Sequence, residues 1–190
     1  MRSKIVFFLI VFMPAIFASA QKEVAERVPK QRSLEIGYRY VFSDNFPNTA
    51  IHGTSFMFDY AWQVSGFNKH KAIFITIPIG YTYTFGLNKP GDKDMRIVSY
   101  GWTIRHELAK NRKSIPFLGY ALLFDQLAFN GTEGGIMGHQ TRFEFGYNFR
   151  CDKRLKYFVK AEYSYASFAS LGVKKRKSLQ FVEIKSGIRF

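Results

Sequence analysis

Cysteine is nearly absent from this sequence: Cys151 is the only one in 190 residues. A lone cysteine closes no internal disulfide and builds no thiolate metal site, which excludes a disulfide framework. The histidines, His52, His70, His106 and His139, stand at no spacing that suits zinc. Also missing are the G-x-S-x-G, Walker A and G-x-G-x-x-G patterns that aim a nucleophile or cradle a phosphate. No cofactor and no metal are therefore expected. Acids are scarce, 14 Asp+Glu against 28 Lys+Arg. Beyond residue 20 no apolar run approaches the ~18 residues of a transmembrane helix. Aromatic residues, in contrast, are abundant: 18% of the chain, with 21 Phe and 11 Tyr. That content is high for a soluble domain and usual where aromatic girdles border a bilayer.

The N-terminus reads as an address. Arg2 and Lys4 precede the apolar stretch Ile5–Phe17, and Ala18-Ser19-Ala20 is a small-residue cleavage site followed by Gln21. This is the pattern of a cleaved secretory signal peptide over residues 1–20. Gln21, where a lipoprotein would have cysteine, gives no sign of a lipid anchor. Cleavage removes two cations and leaves 26 Lys+Arg against 14 Asp+Glu. Residues 21–32 are polar and aperiodic, and are expected to form a short periplasmic tail.

From residue 33 onward, apolar and polar side chains alternate with the period of a β-strand. Eight segments result: Ser33–Ser43, Thr54–Val64, Lys71–Leu87, Met95–Leu108, Ile115–Phe129, Met137–Arg150, Leu155–Phe168 and Leu179–Phe190. The third is the clearest. Ile73, Ile75, Ile77, Ile79, Tyr81, Tyr83 and Phe85 share one face, and Thr76, Gly80, Thr82 and Thr84 the other. Pro78 cannot donate a ladder hydrogen bond, so a local bulge is expected there. The fifth is apolar on both faces. Placing Asp125 inside sends Leu118, Tyr120, Leu122 and Phe124 outside.

The last segment decides between two architectures. Val182, Ile184, Ser186, Ile188 and Phe190 point one way, and Glu183, Lys185 and Arg189 the other. A soluble sandwich buries the apolar face; a membrane barrel turns it to lipid and keeps the charges inside. An even strand number, segments that mostly exceed the ~9–11 residues needed to cross a membrane at a tilt and the final Phe190 favour the barrel. The expected fold is an eight-stranded antiparallel up-and-down transmembrane β-barrel over residues 33–190, with a polar, side-chain-filled interior. The mature chain resembles the small outer-membrane barrels of the OmpX and OmpA-membrane-domain type. That resemblance implies a Gram-negative outer membrane, and it makes Phe190 part of the signal read by the barrel-assembly machinery.

The inward set carries Glu35, Asp59, Glu107, Asp125, Glu144, Glu162 and Glu183 together with Arg39, Arg105, Arg142, Lys160, Lys185 and Arg189. Near-balanced charge in so narrow a space predicts a paired network, because an unpaired buried charge is costly. An eight-stranded barrel is just wide enough for side chains to fill it, so a plug and not a pore is expected. Lys174, Lys175, Arg176 and Lys177 fall in an outer loop, where they are candidates for contact with lipopolysaccharide phosphates. Nucleic acid is not an expected partner in this compartment.

Acyl transfer needs a hydroxyl nucleophile, an imidazole base and an orienting acid. His139 and Thr141, two apart on the outward face, with Glu133 in the preceding loop, are the weak candidates. The stretch from about Ile115 to Phe190 is also faintly similar to the lipid A deacylase PagL, which carries a His-x-Ser-Asn motif on its penultimate strand. Here the aligned residues are Glu162-Tyr163-Ser164-Tyr165. Glu162 replaces the histidine and removes the base, and alternation turns Ser164 inward, so the activity does not carry over. The leading expectation is a non-enzymatic barrel with a structural or interaction role, including docking against a larger outer-membrane assembly or secretion complex. A lipid A-modifying hydrolase is the alternative from the enzyme class. A soluble lipocalin-like barrel would need the inverse pattern, an apolar lumen inside a polar exterior.

Overall fold

The computed structural model describes residues 30–44, 51–64, 72–85, 94–109, 113–129, 135–149, 154–169 and 176–190. Among them are eight strands: β1 Lys30–Asp44, β2 His52–Gln63, β3 Ala72–Phe85, β4 Met95–Glu107, β5 Ser114–Phe129, β6 Ile136–Phe149, β7 Lys156–Phe168 and β8 Lys177–Arg189. Each pairs antiparallel with its sequence neighbours, and β8 pairs with β1 to close the barrel. Closure removes both sheet edges, which would otherwise expose unpaired backbone groups.

The register fixes the slant of the strands. One lap along paired residues runs Lys30, Trp62, Ile75, Ile104, Tyr120, Phe143, Tyr163, Val182 and returns to β1 at Tyr40. The lap climbs from residue 30 to residue 40, the stagger that tilts the strands and sets the width of the interior. Both chain ends of the barrel, Lys30 and Arg189, lie at one rim, here called the terminal end; the opposite rim is the loop end.

Alternation decides what each face meets. Every outward residue expected on the fifth segment is exposed, Leu118, Tyr120, Leu122 and Phe124 included, and Asp125 is fully buried. Around the middle of the wall Ile36, Phe56, Ile79, Phe143 and Ile184 are more than half exposed. That is the reverse of a soluble core and the requirement for contact with lipid. Aromatic pairs flank the band, such as Tyr60–Trp62 at 4.7 Å near the terminal end and Tyr100–Phe124 at 5.9 Å toward the loop end.

Two local expectations need correction. Pro78 makes no bulge. The β3–β4 register is the same at Thr76↔Thr103 and at Ile79↔Tyr100, and the ladder simply lapses between them. Pro78 there stands opposite Gly101, which is itself packed close against β5: a Cβ would run into the Leu122 carbonyl and come within 2.8 Å of the Leu123 Cα. Losing a donor costs a rung and does not require an extra residue. A register shift does occur elsewhere, between Val41 and Ser43 on β1. Further, β1 begins at Lys30, inside the stretch expected to be tail. Gln31 and Arg32 pair with Ala61 and Tyr60, and Arg32 exchanges two backbone bonds with Phe190. Both side chains are polar, so hydrophobic periodicity carried no sign of this turn of strand. Residues 1–29, with the expected signal peptide, and Cys151 lie outside the described residues.

Candidate functional site: the lumen and the outer rim

The thirteen charged side chains expected inside are all buried, between 0% and 7% exposed. Strand register sorts those in the middle into rows. Glu144, Glu162 and Glu183 sit side by side on β6, β7 and β8, with Arg39 next on β1. Two residues along, Lys160 and Lys185 sit side by side. Like charges directly opposite one another are unfavourable, and here each row neutralises the other. The spacing of two in Lys160/Glu162 and Glu183/Lys185 keeps both signs on the inner face.

Lys160 is the hub. Its Nζ lies 2.8 Å from Glu35 Oε2, 2.9 Å from Glu144 Oε2 and 2.9 Å from Glu162 Oε1. Glu162 Oε2 continues to Lys185 Nζ at 2.8 Å and to Arg142 Nη1 at 3.6 Å. Lys185 reaches Glu183 at 3.3 Å, and Glu183 Oε1 reaches Arg39 Nε at 3.2 Å. Arg142 also donates to Thr103 Oγ1 at 3.3 Å, which ties β6 across the lumen to β4. Asp59 accepts from Ser33 Oγ at 3.1 Å. Asp125 stands beside Ser99 in the register, at the upper border of this layer.

Toward the terminal end the lumen becomes aromatic and cationic. The Arg105 guanidinium lies 4.6 Å from the Phe74 ring centroid and donates to Gln31 Oε1 at 2.8 Å. Arg189 lies 4.3 Å from the Phe158 centroid and donates to Asn148 Oδ1, while Asn148 Nδ2 donates to Glu107 Oε1 at 3.0 Å. Rings desolvate these cations while attracting them through the quadrupole.

Toward the loop end the interior is not polar. Val41, Met95, Ile97, Leu127, Ala166, Phe168, Leu179 and Phe181 form one buried apolar cluster. This cap was missed by reading the interior as polar throughout. Its signal was present in the fifth segment, apolar on both faces, where Leu127 occupies an inward position beyond Asp125. The Arg39 guanidinium sits 3.7 Å from the Phe181 centroid, where the ionic layer meets the cap.

The enzymatic candidates are not assembled in the same way. His139 is exposed on the outer face of β6, between Phe124 and Ser167 in the register. Thr141 shares that face, and its hydroxyl lies 3.5 Å from the Tyr165 carbonyl oxygen, which it donates to. Glu133 lies outside the described residues. In the stretch aligned with the PagL motif Tyr163 and Tyr165 are exposed on the outer face, and the other two residues point inward: Ser164 is fully buried and accepts from Gln140 Nε2 at 2.8 Å, and Glu162 belongs to the ionic layer. Of the basic loop residues, Arg176 is exposed and Lys177 opens β8 half-buried; Lys174 and Lys175 lie outside the described residues.

No protein-family model and no curated protein matches this sequence. Solved structures do. Neisserial surface protein A is 12% identical with a TM-score of 0.65, over 86% of this chain and 98% of its own. The outer membrane protein OprG from Pseudomonas aeruginosa is 12% identical with a TM-score of 0.51, over 88% and 99%. The outer membrane enzyme PagL is 14% identical with a TM-score of 0.48, over 80% and 97%. At such identities the likeness is one of fold.

Proposed function

With the fold of the small eight-stranded outer-membrane barrels as the premise, we propose that this chain is a non-catalytic barrel of the Gram-negative outer membrane. In this reading it serves as an embedded scaffold and docking module for a larger outer-membrane assembly or secretion complex. The observation that carries the reading is the contrast between the two faces of the wall. Apolar and aromatic side chains are exposed all round the outside, and the inside is filled by ion pairs beneath an apolar cap. Such a wall offers a partner its outer surface, since the filled lumen offers no route through. Export depends on the signal at residues 1–20. Insertion depends on Phe190, which is exposed at the terminal end and paired through its backbone to Arg32. The terminal end faces the periplasm, and the basic loop around Arg176 faces lipopolysaccharide.

The test is a native pull-down from detergent-solubilised outer membranes, with lipid A mass spectrometry on the same strain and on its deletion. A stoichiometric larger partner with unchanged lipid A is the expected result. A lone barrel whose deletion alters lipid A, with the change reproduced by His139→Ala, would replace the scaffold reading by an enzyme.

A further inference from the structure

The outer wall is not evenly upholstered. A groove of about 420 Å³ runs over β8 near the terminal end. Its floor is Ser186, Gly187 and Ile188; Ile36 and Phe56 rise on one side, and Tyr157 and Phe149 on the other. The outward set of β8 reads Val182, Ile184, Ser186, Ile188, so Ser186 is the gap in a row of branched side chains. In the register Ser186 lies between Ile36 and Val159, and Ile188 between Leu34 and Tyr157. The trough is therefore apolar-walled and runs along the strand.

Its rim end is cationic. One step beyond Leu34 on the same face is Arg32, held to Phe190 by backbone bonds of 2.8 and 2.9 Å, and Lys30 follows. Across β8, Arg154 stands just ahead of the first residue of β7, while Lys156, opposite Arg189, belongs to the inner face. Lys30, Arg32 and Arg154 are exposed, and no exposed acidic side chain occurs at this rim among the described residues. The same bias holds in the sequence. Cations exceed acids by ten over Lys30, Arg32 and the three connections at the terminal end (64–71, 108–113, 150–156). At the loop end (44, 86–96, 130–135, 169–177) the excess is three.

We propose that this groove and rim bind one anionic phospholipid of the leaflet at the terminal end. An acyl chain lies over Ser186 and Ile188 between the aromatic walls. The headgroup phosphate meets Arg32, with Lys30 and Arg154 at its sides, at the depth where basic side chains reach an interface. The inference rests on the reading that the apolar band lies in a bilayer, and it adds a specific ligand to that reading.

Native mass spectrometry of the full chain, released from vesicles of phosphatidylglycerol and phosphatidylcholine with matched acyl chains, tests it. One retained phosphatidylglycerol is expected, well ahead of phosphatidylcholine. Arg32→Gln should cut that preference roughly fivefold, and Arg32→Gln with Arg154→Gln roughly 25-fold. Ser186→Phe fills the trough and should abolish retention of either lipid; Ser186→Leu is the milder filler should the phenylalanine barrel fail to show its folded band on unheated gels. Equal retention of the two lipids overturns the site. So does a preference unmoved in the double variant, lipid retained by both fillers, or a second copy of the chain in place of lipid. Failure of the chain to insert into vesicles would remove the membrane reading itself; insertion without retained lipid removes this site alone.

Discussion

The middle of the lumen and its loop-end cap are built by the same strands from the same inward positions, yet one is ionic and the other apolar. On β8 the change happens between Phe181 and Glu183, a single step along the inner face. On β5 it happens between Asp125 and Leu127. The cap is an ordinary core, stabilised atom by atom as apolar area leaves water. In the ionic layer each charge is tolerated only while its partners remain. The difference teaches where this barrel is robust and where it is brittle, and graded substitutions can break or sharpen it.

Lys160→Met should have the largest effect. It strands Glu35 and Glu144 in a buried space and takes one of three cationic partners from Glu162, and removing one side of a buried ion pair costs about 3–5 kcal/mol. Urea unfolding in vesicles, followed by tryptophan fluorescence or gel shift, would show the loss. Replacing Glu35 and Glu144 together with Lys160 by apolar residues should recover most of it, because Glu162 keeps Lys185 and Arg142. Next comes Ile184→Arg, which puts a charge on the most exposed apolar position of the wall, 66% exposed. In a bilayer it should cost about 2–4 kcal/mol. An equal loss from Leu155→Arg, which puts the same charge at the terminal rim, would mean that the band does not sit in lipid. Gly101→Ala should cost about 2 kcal/mol through its clash with β5 beside Pro78. Ile97→Val, one methylene from the cap, should cost only about 1 kcal/mol.

Much of this architecture was legible because a strand repeats every two residues. Ile184 between Glu183 and Lys185 can only be sorted one way, and the closing strand thereby oriented the whole wall. Asp125 alone settled the phase of a segment that is apolar on both faces. The cap stayed hidden because Leu127 and Phe181, which alternation already turns inward, lie far apart in the chain and meet only in the closed barrel. The stretch Lys30–Arg32 stayed hidden because its pairing is carried by backbone bonds and by Gln31 with Arg105, which leave no hydrophobic trace. The rows of like charge became visible only with the register, since Glu144, Glu162 and Glu183 are far apart in the chain. The small outward residue Ser186 became the floor of a groove only once Ile36 and Tyr157 were placed on either side.

The filled lumen is the centre of this account, and single-channel recording in planar bilayers addresses it most directly. A barrel packed with ion pairs beneath an apolar cap should insert and give no stepwise conductance, at neutral pH and moderate voltage. Stable conductance steps of reproducible size from the purified protein, present in every preparation, would contradict it and make the interior a passage.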